Sequence, residues 1–367
     1  VELKKAFAEI DLRALSHNLK EVKKRTGKRS IIAVVKANAY GHGLVEVSRH
    51  LVQEGVEMLG VAFTEEAIQL REAAIESPIL VFFDRENIEA YLKYNLIPTV
   101  FDFTTAKRLS EEAYKHNLQL PIHIKVDTGM GRIGLDIKSA ESMVLRIVRL
   151  KNIRAEGLMS HLSEADLADR YFTLHQIEKF RNLINSLRGK GVTFKYLHIA
   201  NSAAVLKFPE AYFNTIRPGI MLYGYGCTEN DNLKPVLSLK SNILYLKKVP
   251  AGTPISYGRT FITKRTSTVA TLPVGYADGY NRRLSNCAEV LINGRRAPVV
   301  GRVCMDTVMV DVTDISDISI DSEVVLIGGS GKEKITAQDI AERIETIPYE
   351  VLTSIGQRVK RIYKKDV

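Results

Sequence analysis

The chain has 367 residues, more than one small domain holds, and enough for a barrel of ~250 residues plus a module of ~100. Its 45% hydrophobic and 26% charged residues are ordinary globular usage and exclude a disordered chain. The net charge of +10 is spread in pairs such as Lys23-Lys24, Arg282-Arg283, Arg295-Arg296 and Lys364-Lys365, with no long basic tract; that argues against nucleic-acid binding and leaves an anionic small ligand or simple solubility.

In chain order, a helix is predicted from about Asp11, with Leu12, Leu15, Leu19 and Val22 at helical spacing. Short apolar runs then alternate with amphipathic stretches. The predicted strands are 31–35, 58–62, 79–82, 97–101, 122–126, 153–158, 194–199 and 213–216. Between them the clearest helix is 136–150, with Ile137, Ala140, Met143, Val144, Ile147 and Val148 on one face. This α/β rhythm predicts a closed (β/α)₈ barrel with its active site in the loops after the strands; an open doubly wound sheet is the alternative. From about Val236 the pattern becomes all-β, with runs at 267–272, 289–292, 297–300, 308–310 and 323–327. Asn293-Gly294 and Gly328-Gly329 are turn signals, and a helix at 336–343 and a strand near 359–363 complete the chain. The expected domains are 1–235 and 236–367.

No segment approaches ~18 uninterrupted apolar residues and the N-terminus lacks a signal-peptide core, so a soluble cytoplasmic protein with no membrane partner is expected. Cys227, Cys287 and Cys304 are odd in number and far apart, and read as reduced thiols.

Lys36 ends an apolar run and faces the first loop after a strand, where a barrel places catalytic groups. By position it is either a surface lysine whose stem covers the strand end or an amine lowered in pKa that forms a Schiff base with an aldehyde. The loop Asn38-Ala-Tyr-Gly-His-Gly43 lets backbone and a phenol approach a ligand closely. Asn201-Ser202 reads as a helix N-cap, which is also compatible with an anion site. His161 and His198 stand far from any Cys or second close His, which argues against a metal. Gly129, Gly131 and Gly134 fit the GxGxxG spacing, a weak sign of a dinucleotide loop. Alone, Arg217 reads as a surface ion-pair residue and Tyr257 and Met305 as packing residues.

Ala33-Val-Val-Lys-Ala-Asn-Ala-Tyr-Gly-His-Gly43 resembles the pyridoxal 5′-phosphate (PLP) lysine signature of the alanine racemase family. Ala8-Glu-Ile-Asp-Leu12, Lys125-Val-Asp-Thr-Gly-Met-Gly-Arg-Ile-Gly134, Ser256-Tyr-Gly-Arg-Thr260, Val274-Gly-Tyr-Ala-Asp-Gly279 and Gly301-Arg-Val-Cys-Met-Asp306 resemble further family motifs, in family order, over essentially the whole chain. The resemblance implies a PLP-binding (β/α)₈ barrel followed by a mainly β domain, a head-to-tail homodimer, and interconversion of L- and D-alanine that supplies peptidoglycan. A racemase of serine or of broader specificity, and a same-fold decarboxylase, are the alternatives. Such decarboxylases present a carboxylate to the pyridine nitrogen, where Arg217 stands here. A noncatalytic PLP carrier lacks the β domain.

Racemisation needs a base on each face of the α-carbon. The resemblance makes Lys36 one base and Tyr257, from the partner chain, the other. It gives Arg217 the pyridine nitrogen, where a permanent cation disfavours ring protonation, and gives Tyr40, Ser202, Gly219 and Ile220 the phosphate. His161 and His198 match residues near the ring, with His161 beneath it. Arg132 matches a residue that reaches the phenolic oxygen and the substrate carboxylate, and Lys125 one that is often carbamylated. Cys304-Met305-Asp306 matches a partner-chain loop with the Met305 amide near the substrate carboxylate. Tyr276 matches a residue narrowing the entrance, supported by Arg282. The chain departs from the pattern at Gln357, where some members place a second phosphate-contacting tyrosine.

Overall fold

The computed structural model describes residues 5–228, 231–320 and 322–365. They form two compact units: one of Ser16–Ala39 and Leu44–Leu233, the other of the segment through Leu15, Tyr40–Gly43 and the chain from Lys234. The second unit thus takes in N-terminal residues and part of the first loop, which the sequence pattern assigns to the first domain.

In the first unit eight parallel strands pair with their neighbours: Ser30–Val34, Met58–Val61, Ile79–Val81, Ile97–Val100, Leu120–Asp127, Ile153–Met159, Tyr196–His198 and Thr215–Ile216. The eighth pairs with the first. Each coincides with a predicted run to within two residues at either end. The second, third and fourth are buried throughout, as expected of parallel strands covered on both faces. The seventh and eighth strands are not joined by a ladder among the described residues. Asn214 closes that seam: its Oδ1 accepts from Leu197 N–H at 2.7 Å and its Nδ2 donates to Lys195 O at 2.9 Å. Arg217 N–H adds a bond to Ala200 O at 2.9 Å, which anchors Arg217 at the seam.

The predicted helix at 136–150 is shorter, Ala140–Ile147, because Leu135–Asp136 pairs with the fifth strand. Gly129, Gly131 and Gly134 therefore lead from strand to strand, without the helix N-terminus a dinucleotide loop requires.

In the second unit, Phe7–Asp11 is a strand that local patterning does not reveal. It pairs antiparallel with Leu237–Asn242 and parallel with Lys360–Lys364, and Asp11 Oδ1 caps the following helix by accepting from Arg13 and Ala14 N–H at 2.9 and 3.1 Å. The sheet continues through Glu323–Ser330 and Glu289–Ile292 to Arg295–Pro298. Asn293-Gly294 forms the expected two-residue hairpin, with φ of 51° and 74° between the paired Ile292 and Arg295. Gly328-Gly329, by contrast, is not a turn. The strand runs through both glycines to Ser330, where the chain pairs with Glu333 across Gly331. Gly328 serves close approach instead, since a Cβ there would lie 2.6 Å from Ser238 Oγ. A three-stranded sheet, Tyr245–Val249, Ser267–Leu272 and Val308–Asp311, contributes to a small core of Val249, Ile255, Val269 and Val300. Among the described residues no helix is long and apolar enough to cross a membrane.

Candidate active site

Lys36 stands just past the first barrel strand. Ala37, Asn38, Ala39 and Tyr40 that follow all have left-handed φ, from 52° to 55°. Four such residues in a row cost ~1–2 kcal/mol each, strain of the kind that collects at functional sites. Glu66 holds the turn: one carboxylate oxygen accepts from Ala37 N–H at 2.6 Å and the other from Ala62 N–H at 2.8 Å. Asn38 Oδ1 accepts from Leu44 N–H at 2.8 Å. Lys36 Nζ and the Arg132 guanidinium carbon lie 5.5 and 5.4 Å from the centre of the Phe83 ring. Burial, then the Arg132 charge, lowers the Lys36 amine below the ordinary lysine pKa, opposed by Glu66. A lowered amine meets the chemical requirement of a nucleophilic lysine.

Lys125, on the fifth strand, is buried, and burial together with Arg217 and Arg132 lowers its amine to about 7. His161 is pushed well below its ordinary pKa by burial and then by the charges of Arg217, Lys125, Arg132 and Lys36. Arg217 is buried at the centre of this group, and burial followed by Arg132 lowers it to about 9. Its Nη1 donates to His198 Nδ1 at 2.7 Å and His198 O at 2.9 Å; its Nη2 donates to Ser160 O at 2.6 Å, and to His161 Nδ1 and Ile199 O, each at 3.3 Å. Nε has no acceptor among the described residues. The ion-pair role expected of Arg217 in isolation does not apply, because its terminal nitrogens meet carbonyls and imidazoles.

Asn201 caps the helix Ser202–Lys207, its Oδ1 accepting from Ala204 N–H at 3.0 Å. Ser202 Oγ accepts from Gly219 N–H at 2.9 Å and Met221 N–H at 3.3 Å. Between them, Ile220 N–H has no acceptor among the described residues. One hydroxyl and neighbouring backbone donors thus gather after the seventh and eighth strands.

The remaining candidates belong to the second unit. Tyr40 is buried beside Tyr349, ring centroids 5.9 Å apart, and burial raises its phenol above the ordinary value. Tyr257, in the short turn Tyr257–Arg259, is 70% exposed, and Met305 and Tyr276 are 54% and 42% exposed. Their segments are tied together: Ser256 Oγ donates to Arg302 O at 2.6 Å and lies 3.6 Å from Cys304 Sγ, while Tyr276 N–H donates to Cys304 O at 3.1 Å. Arg358 links Asp306 at 2.7 Å to the buried Asp278 at 2.6 Å. Arg282 and Gln357 are exposed.

Glu66, Phe83 and His123 have no counterpart among the residues the sequence singles out. Only His123 leaves a signal, a polar residue two positions before Lys125 in a run, 120–124, that is otherwise apolar.

Residues 10–226 match the family model described as alanine racemase, N-terminal domain, and 236–363 the one described as alanine racemase, C-terminal domain. The alanine racemase of Thermodesulfovibrio yellowstonii is 50% identical over 360 residues, 97% of each chain. The alanine racemase of Bacillus anthracis, solved with bound L-Ala-P, is 36% identical with a TM-score of 0.90, covering 99% of this chain and 96% of its own. That of Bartonella henselae, solved with covalently bound pyridoxal phosphate, is 33% identical with a TM-score of 0.89, covering 98% and 99%. With both halves matched in order and the barrel followed by a β unit, the chain belongs to the alanine racemase family.

Proposed function

We propose that this family member interconverts L- and D-alanine with PLP held through Lys36, using Lys36 and Tyr257 of the partner subunit as the two bases. The observation that carries the proposal is a basic site at the strand ends, with Lys36 and Arg132 5.5 and 5.4 Å from the centre of one ring, Phe83, and the buried Arg217 bonded to His161 at 3.3 Å, suited to an anionic cofactor and a carboxylate substrate. Three features fit PLP in particular. The lowered Lys36 amine suits an aldehyde; the uncommitted Arg217 Nε suits a ring nitrogen; and the Ser202 hydroxyl hydrogen and the uncommitted Ile220 N–H, held in place by the bond from Gly219 N–H to Ser202 Oγ, suit a phosphate.

When bound, the cofactor supplies the electron sink that acidifies the α-carbon of an attached amino acid. Lys36 takes or returns the α-proton on one face. The partner's Tyr257 does so on the other, which makes a homodimer necessary for turnover. Arg217 donates toward the ring nitrogen without surrendering a proton, which limits the sink and disfavours side reactions. Arg132 and the amide of the partner's Met305 orient the substrate carboxylate, and Tyr276, on the segment tied to the Met305 loop, narrows the entrance so that a methyl side chain is preferred.

The test is purified protein with PLP and single L-amino acids, followed by chiral chromatography. D-Alanine should form with wild type, vanish in Lys36→Ala, and fall roughly 10²–10⁴-fold in Tyr257→Phe. Unchanged turnover in Tyr257→Phe would overturn the two-base scheme.

A further inference from the structure

Three buried side chains stand in series in the barrel. Arg217 Nη1 lies 2.7 Å from His198 Nδ1, and His198 Nε2 lies 2.8 Å from His123 Nδ1. A guanidinium has donors and no acceptor. His198 Nδ1 must therefore accept, which puts the ring hydrogen on Nε2. That N–H donates to His123 Nδ1, so His123 in turn carries its hydrogen on Nε2. His123 Nε2 is buried and ends the series with no partner among the described residues. Burial and the Arg217 charge hold His123 at about 3 and His198 well below the ordinary range, so each ring is neutral with a single N–H.

The fold makes room for this series. Gly157, on the sixth strand, faces the His123 ring so closely that a Cβ would lie 2.4 Å from it. The pairing of the fifth and sixth strands shifts register between Ile122 and His123, an irregularity of the kind that re-aims a side chain.

We propose that His123, acting through His198, is a positioning residue for Arg217: a one-way donor series sets the tautomer of both rings and leaves Arg217 Nε as the donor offered to the cofactor. This rests on the assignment of Arg217 to the ring nitrogen. Without an acceptor at 123, the buried His198 N–H is unpaired. Moving its hydrogen to Nδ1 relieves that only by setting a second donor against Arg217. His123 is thus two hydrogen bonds from the guanidinium it orients, and substrate need never touch it.

Long-range ¹H–¹⁵N correlation spectra of histidine-labelled protein, with and without PLP, read the tautomers directly. Both rings should be Nε2–H in both states. An Nδ1–H or doubly protonated His198 at pH 7–8 overturns the series, whatever the racemase activity. Absence of alanine racemisation with the tautomers as stated would instead remove the Arg217 assignment. In His123→Leu, PLP affinity and kcat should each fall about tenfold with the alanine KM little changed, and the His198 tautomer should become mixed. His123→Gln, whose carbonyl can still accept, should stay within about threefold of wild type. Equal losses in both variants would show that His123 only fills space. If neither variant folds, the wild-type spectra alone decide.

Discussion

Lys125 shows how a residue's surroundings change what it can do. Its amine titrates at about 7 rather than 10.5 because burial and two arginines oppose the charged form. Between those values the unfolded chain holds a proton that the folded chain lacks, so stability contributed by this group rises with pH across that window. Below about 7 both states are charged and the full cost of burying the cation remains. Carbamylation offers an escape: the neutral amine adds to CO₂, forms an N–C bond and releases a proton, and the resulting anion faces Arg132 and Arg217. With ¹³C-bicarbonate a carbamate resonance should be present at pH 8, fade below about pH 6, and be missing in Lys125→Ala. A free amine at pH 8 would remove the proposal.

At the scale of elements, the left-handed turn after Lys36 reverses an ordinary rule. Ala37→Gly removes a Cβ from an exposed residue at φ 54°. It should therefore stabilise the protein by up to ~1 kcal/mol in urea unfolding, where glycine in a right-handed helix would destabilise it. A loss would show that the turn is unstrained. The barrel seam makes an opposite prediction. Asn214→Ala leaves Leu197 N–H and Lys195 O without their side-chain partners and should cost ~2 kcal/mol in the same measurement. Elements with short-range causes were legible in the sequence, as the Asn293-Gly294 hairpin and the eight barrel runs show. Phe7–Asp11 was not, because both of its partner strands lie more than 200 residues away. Nor was the course of Gly328-Gly329, since a glycine pair marks a turn and a close packing contact alike.

For the whole molecule, the exposed Tyr257, Met305 and Tyr276 bear on assembly. If two chains share sites, Lys36→Ala and Tyr257→Phe proteins, each inactive, should complement when reassorted. Half the dimers would then be mixed, each with one intact site, restoring about a quarter of wild-type activity. Absence of recovery, with mixed dimers verified by mass, would place both bases in one chain. The βα rhythm, the strand-end position of Lys36 and the ordered motifs that carry the family could be read from the residues in order, because they follow from local periodicity and residue type. Folding was needed to reveal that Glu66 braces the Lys36 turn, that Phe83 lies near both Lys36 and Arg132, and that His123 reaches Arg217 through His198. Those contacts join residues up to about 75 positions apart, and only the pairing and curling of the strands brings them within a hydrogen bond or a ring's width of one another.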